Sequence, residues 1–121
     1  MQNNTLLKIN IDLTYLHSVS GGDASFEKIL LSSAVSDIQM NVDKLKDAWQ
    51  CEDAAEVGNA AHTLKAVMVI AGLPQLEQHC KKIDVTFRDK LFHAEMSTAV
   101  SAILNGWAEA KPKLEELISV Y

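Results

Sequence analysis

The run Ala54-Ala55-Glu56-Val57-Gly58-Asn59-Ala60-Ala61-His62-Thr63-Leu64-Lys65-Ala66-Val67-Met68-Val69-Ile70-Ala71, closed by Gly72-Leu73-Pro74, decides the fold by its spacing. Its positions Ala54, Val57, Ala61, Leu64, Met68 and Ala71 follow in alternating steps of three and four. A helix turns about 100° per residue, so such steps hold one narrow apolar stripe on one side of the cylinder. The same spacing is the seam along which helices pack nearly parallel in a left-handed bundle. Ahead of the run, Glu52 and Asp53 supply carboxylates suited to a helix N-terminus. Behind it, Gly72 and Pro74 dictate a stop and an immediate restart. These residues predict a helix that turns back on its successor as a tight hairpin.

Toward the N-terminus, Phe26, Leu30, Ala34, Ile38, Val42, Leu45 and Trp49 line one face of a long helix. Asp23 caps it after a break at Gly21-Gly22. A short helix carrying Leu13 and Leu16 precedes the break, with Asp12 as its expected cap. Toward the C-terminus, Leu73, Leu76, Cys80, Ile83 and Phe87 form the stripe of the returning helix. A last helix buries Phe92, Met96, Val100, Ile103, Trp107, Leu114 and Leu117. Pro112 is expected to kink that helix or to split off a final one near Lys111. Four long amphipathic helices with short connections specify an all-α fold, an antiparallel four-helix bundle with a short additional N-terminal helix. No segment alternates as a strand does. No repeat or long linker divides the chain, so residues 1–121 read as one domain.

Bulk properties remove several classes of function. A net charge of −5 argues against nucleic acid as a partner, because a phosphate backbone calls for clustered cations. No apolar run approaches the ~20 residues that span a bilayer. Met1-Gln2-Asn3-Asn4-Thr5 lacks the basic and apolar regions of a secretory signal. Cys51 and Cys80 have no metal or redox spacing and read as free thiols in a reducing cytoplasm. Hydrophobic and charged contents of 48% and 22% fit a soluble globular protein with an independent core.

His62 is the residue around which the helix clears space. Its neighbours three and four positions away are Gly58, Asn59, Lys65 and Ala66, three of them small and one cationic. One step off the buried stripe, the imidazole belongs at the boundary between core and water, with Asn59, Ala66 and Val69. Glycine inside a helix costs about 1 kcal/mol against alanine, so Gly58 suggests a surface that something must approach. A free imidazole titrates near 6.5, and its neutral form is a competent nucleophile. A phosphoryl group on it brings about 1.5 to 2 negative charges, with Lys65 one turn along as a counter-charge. The acidic pocket and Mg²⁺ that phosphoryl transfer needs have no counterpart in this sequence, so a partner must supply them. Counting back from the turn at Gly72 puts His62 level with Asp84, Lys65 near Lys81, and Arg88 one turn beyond.

Ala61-His62-Thr63-Leu64-Lys65-Ala66, with Gly72 ten and Cys80 eighteen residues after the histidine, resembles the histidine-containing phosphotransfer (HPt) domain. That family carries His-x-x-Lys-Gly on the second helix of a four-helix bundle. The entry Asp12-Leu13…Leu16…Gly21-Gly22-Asp23…Phe26…Leu30-Leu31 is similar too, and the likeness covers about residues 11–110. The resemblance implies that His62 accepts the phosphoryl group and that Lys65 neighbours it. Gly58, Asn59, Ala66 and Val69 would dock the partner, with Lys81, Asp84 and Arg88 as an outer ring. It implies a monomeric phosphocarrier without autokinase activity and without a cofactor of its own. Its partners would be response-regulator receiver domains, which hold the Mg²⁺, or a hybrid sensor kinase. The chain departs from the pattern at Ala66, where glycine is usual, at Val67 and Met68, and at Asp84, where some members place glutamine.

Two other readings compete. A metal or haem bundle needs inward Glu-x-x-His pairs, and neither these nor His-x-x-x-His or Cys-x-x-Cys occur. A non-catalytic helical-bundle interaction module would share the same core and differ only in being indifferent to His62. His17, His79 and His93 read as incidental.

Overall fold

Two aspartates and three glycines set the frame of the bundle. The computed structural model describes residues 9–86 and 96–121, which form α1 (Thr14–Ser20), α2 (Ala24–Gln50), α3 (Ala54–Ile70), α4 (Pro74–Thr86) and α5 (Met96–Ser119). Among these residues there is no strand. Asp23 Oδ1 accepts the Phe26 amide at 3.0 Å and Asp53 Oδ1 accepts the Glu56 amide at 3.1 Å, so both long helices start at the expected caps. Asp12 acts one residue earlier than expected. Leu13 occupies the cap position, while Asp12 Oδ1 takes the Thr14 amide at 3.0 Å and the Thr14 hydroxyl at 2.6 Å.

α2 packs on α3, α3 on α4, α4 on α5, and α5 closes back on α2, with α1 laid against α2 and α3. The stripe of α3 is enclosed as its spacing predicts: Val57, Ala61, Leu64, Met68 and Ala71 have no solvent exposure. Leu73, Leu76, Cys80 and Ile83 meet them from the α4 side, and Met96, Val100, Ile103, Trp107 and Leu114 from α5. Phe87, Arg88, Phe92 and His93 lie outside the described residues.

Two expectations need correction. At the start of α2 the core residues are Glu27 and Leu31, whereas Phe26 is exposed and Leu30 only partly buried. Each step of four overshoots a full turn by about 40°, so three such steps carry Phe26 about 120° away from Ile38. The second correction concerns Pro112, which sits inside one continuous α5 rather than dividing it. Pro112 cannot bond the carbonyl of Ala108, but both residues are exposed, so water can take that carbonyl while Ala110 and Leu114 hold the helix on the core.

The α3–α4 turn is fastened from outside. Gly72 has φ of 72°, and its carbonyl accepts the Asp12 amide at 2.8 Å. The Ile9 amide donates to Glu109 Oε2 at 2.6 Å and the Asn10 amide to Gln75 Oε1 at 2.7 Å. Residues 9–12 therefore form a strap over one end of the bundle, tied to α5, α4 and the turn. At the α1–α2 corner the buried Glu27 gathers His17 Nδ1 at 2.6 Å, the Ser20 hydroxyl at 2.9 Å and the Tyr121 hydroxyl.

Candidate functional site

His62 stands near the middle of α3, one residue past Ala61 on the enclosed stripe, so its ring emerges at the helix flank. The side chain is 70% exposed. Asn59 and Ala66 on the adjoining turns are exposed and Val69 is partly buried, which agrees with their expected places beside the ring. Asn59 Nδ2 is bonded to Glu56 Oε2 at 3.0 Å. Val69 borders a shallow groove whose other walls include Tyr15, Pro74 and Glu77.

Gly58 departs from expectation, because it is buried and forms no part of the open surface. It precedes Lys65 by seven residues, almost two full turns, so both lie on the side of α3 turned toward α4. Being covered, Gly58 does not serve as bare surface for a partner beside the ring.

The hairpin register places Asp84 of α4 beside His62, as counted from the turn. Asp84 Oδ2 lies 3.4 Å from His62 Nδ1 and 2.7 Å from Lys65 Nζ. Lys65 therefore pairs with Asp84. Helical side chains lean toward their own N-terminus, so the long lysine reaches back to the level of His62, where it finds an opposite charge. Lys81 is exposed on α4, and Arg88 lies outside the described residues.

The three side chains form a polar triangle around one carboxylate. The Lys65 hydrogen bond holds the Asp84 carboxyl below the usual carboxylate range; burial opposes it, and the His62 bond adds a smaller push downward. At neutral pH Asp84 is ionised and can only accept, so Nδ1 of a neutral His62 is the nitrogen that carries the proton. The 3.4 Å separation is long for a hydrogen bond, as such contacts often are before a partner arrives. The lone pair then resides on Nε2, at the ring edge away from Asp84. A nucleophilic nitrogen, an orienting carboxylate and an ammonium one turn away can accept a phosphoryl group and hold it.

Other reactive groups are less suited to such work. Cys80 is sealed in the core and burial pushes its thiol up to about 12, so it is no nucleophile. Burial, aided by Lys82, lowers the protonation of His79, whose enclosed Nδ1 has no partner among the described residues. His17 is structural through Glu27. Among the described residues no three His, Cys, Asp or Glu side chains converge as a metal site would require. The Lys65–Asp84 pair was not legible as a pair in the sequence, since it joins residues 19 positions apart. Counting from the hairpin turn matches Asp84 with His62 and not with Lys65, which stands seven residues before Gly72 against twelve after it for Asp84.

A family model described as Hpt domain matches residues 29–117. Among solved structures, histidine-containing phosphotransfer protein B from Pseudomonas aeruginosa PAO1 superposes with a TM-score of 0.79 at 20% identity, covering 92% of this chain and 96% of that one. The HPT domain of a sensor hybrid histidine kinase from Shewanella superposes with a TM-score of 0.81 at 13% identity, covering 92% and 95%. At such identities these likenesses establish the bundle and no residue's role. Comparison with curated protein sequences returned no significant match.

Proposed function

Because the chain belongs to the Hpt domain family, whose members carry phosphoryl groups in two-component phosphorelays, we propose that its carrier residue is His62. The observation that supports this most is the exposed imidazole with Asp84 at Nδ1 and Lys65 within reach. In the charging step Nε2 attacks the phosphorus of a receiver's aspartyl phosphate. The N–P bond forms from the ring lone pair, and the P–O bond breaks with its electrons on the leaving carboxylate. No proton need move, since Nδ1 keeps its own. Discharge to a second receiver aspartate runs the same step in reverse.

The receiver supplies the Mg²⁺ and the acidic pocket, as phosphoryl transfer depends mainly on positioning and charge neutralisation. Asn59, Ala66 and Val69 form the surface on which it docks. The chain acts as a monomer in the cytoplasm, without a cofactor and without autokinase activity. No described helix is long and apolar enough to cross a membrane.

Incubation with a phosphorylated receiver domain tests this. The wild type should gain a phosphate that is labile to acid and stable to base, and His62→Gln should gain none. Ala66→Leu should fold normally yet slow the transfer at least tenfold, because bulk is added one turn from the ring. Label that persists in His62→Gln would remove the assignment. Receiver binding indifferent to His62, with no transfer, would instead mark an interaction module.

A further inference from the structure

Resting on His62 as the carrier, we infer that Asp84 is a positioning residue that keeps the Nδ1 proton on the phosphorylated ring, so that imidazole departs as a neutral group when the phosphoryl moves on. The geometry comes from two helices. Asp84 projects from α4 to within 3.4 Å of Nδ1, on the opposite side of the ring from the nitrogen that bears the phosphoryl. It is three-quarters covered, with 25% side-chain exposure, so its charge is only partly screened. A carboxylate beside an imidazole fixes the tautomer and stabilises the protonated ring.

The balance of the discharge step shows what that proton does. The phosphorus gains an oxygen from water or from a receiver carboxylate, and the P–N electrons return to Nε2. With Nδ1 protonated, the ring leaves as neutral imidazole and no proton has to arrive. Without that proton the leaving group is an imidazolide anion, and the step waits for solvent to protonate it. A charge that holds the proton in place extends fast discharge to higher pH.

The remaining charges around the ring temper the effect without reversing it. Lys65 on α3 shares the Asp84 oxygen at 2.7 Å and lends part of its charge to that pair. Lys81 lies one turn before Asp84 on α4 and is exposed, and Glu56 on α3 is tied to Asn59. From α1 and α2, the other helices packed against α3, no charged group among the described residues bonds to the ring or to Asp84.

The test uses the whole chain charged with phosphoramidate, a small phosphoryl donor that needs no cognate partner. Loss of the P–N signal is followed by ³¹P NMR from about pH 6 to 10, a span that brackets imidazole titration. The wild-type rate should persist to higher pH than that of Asp84→Asn, with the midpoint displaced by about one unit and a roughly tenfold rate difference at the alkaline end. Independently, ¹⁵N shifts of the uncharged wild type should show the neutral His62 ring protonated on Nδ1. Superimposable pH profiles, or a ring protonated on Nε2, would overturn the inference. Acid-labile label on His62→Gln would instead overturn the carrier assignment on which it rests.

Discussion

At the scale of single residues, the site is a division of labour around one carboxylate. His62 provides the nitrogen, Asp84 the orientation, and Lys65 the only positive charge bonded into the group among the described residues. Lys65 is about two-thirds covered, and its ion pair with Asp84 borders solvent. Such pairs contribute up to about 1 kcal/mol. Lys65→Ala should therefore slow charging of His62 by about fivefold at most, measured as the initial rate of transfer from a phosphorylated receiver. A hundredfold loss would mean that Lys65 does more than balance charge. His62 and Lys65 were legible in the sequence because helix neighbours follow from spacing alone. The Asp84 bond to Lys65 was not, since it depends on where a flexible lysine settles after two helices have docked.

At the scale of elements, turns and helix ends carry the sharpest expectations. A Cβ on Gly72 would lie 2.3 Å from the carbonyl oxygen of Asp12, at a φ of 72° that other residues resist. Gly72→Ala should destabilise the bundle by about 2 to 4 kcal/mol, read from denaturant midpoints. Glu52, by contrast, adopts φ of 54° without being glycine, in the turn between α2 and α3. Glu52→Gly should stabilise by about 0.5 to 1 kcal/mol, the strain relieved less the entropy that glycine adds to the unfolded chain. Pro112→Ala should likewise stabilise by about 1 to 2 kcal/mol by restoring a bond inside α5. A neutral or destabilising effect would mean that the helix already yields at that point. The alternating stripe of α3 was readable because its steps of three and four cancel in angle. The start of α2 departs from its apparent stripe because repeated steps of four accumulate in angle, and α5 stays continuous through Pro112 because tertiary packing overrides a local breaker.

At the scale of the molecule, the bundle is closed by polar ties at its ends as well as by its core. Glu27 joins α1, α2 and the residue Tyr121, and the Tyr121 hydroxyl, then His17, hold its carboxyl below the ordinary range. A carboxyl depressed by folding contributes stability that is present above its unfolded pKa near 4.3 and is lost as pH falls through the folded value. Glu27→Gln should therefore flatten the acid limb of a Tm-against-pH curve below about pH 4.5, while lowering Tm at neutral pH. An unchanged acid limb would assign acid sensitivity to other carboxylates. Neither this network nor the strap of residues 9–12 could be foreseen, since both join parts of the chain far apart in sequence to backbone or carboxylate groups that periodicity does not mark. The all-α class and the hairpin that sets His62 against Asp84 were legible, because they rest on local spacing and one turn.

The most direct measurement is the position of the phosphorus itself. Protein labelled with ¹⁵N-histidine and charged by a phosphorylated receiver should show one-bond ³¹P–¹⁵N coupling at Nε2 of His62, with the other three histidines unchanged. Coupling at a different histidine, or phosphate held on oxygen, would contradict the account.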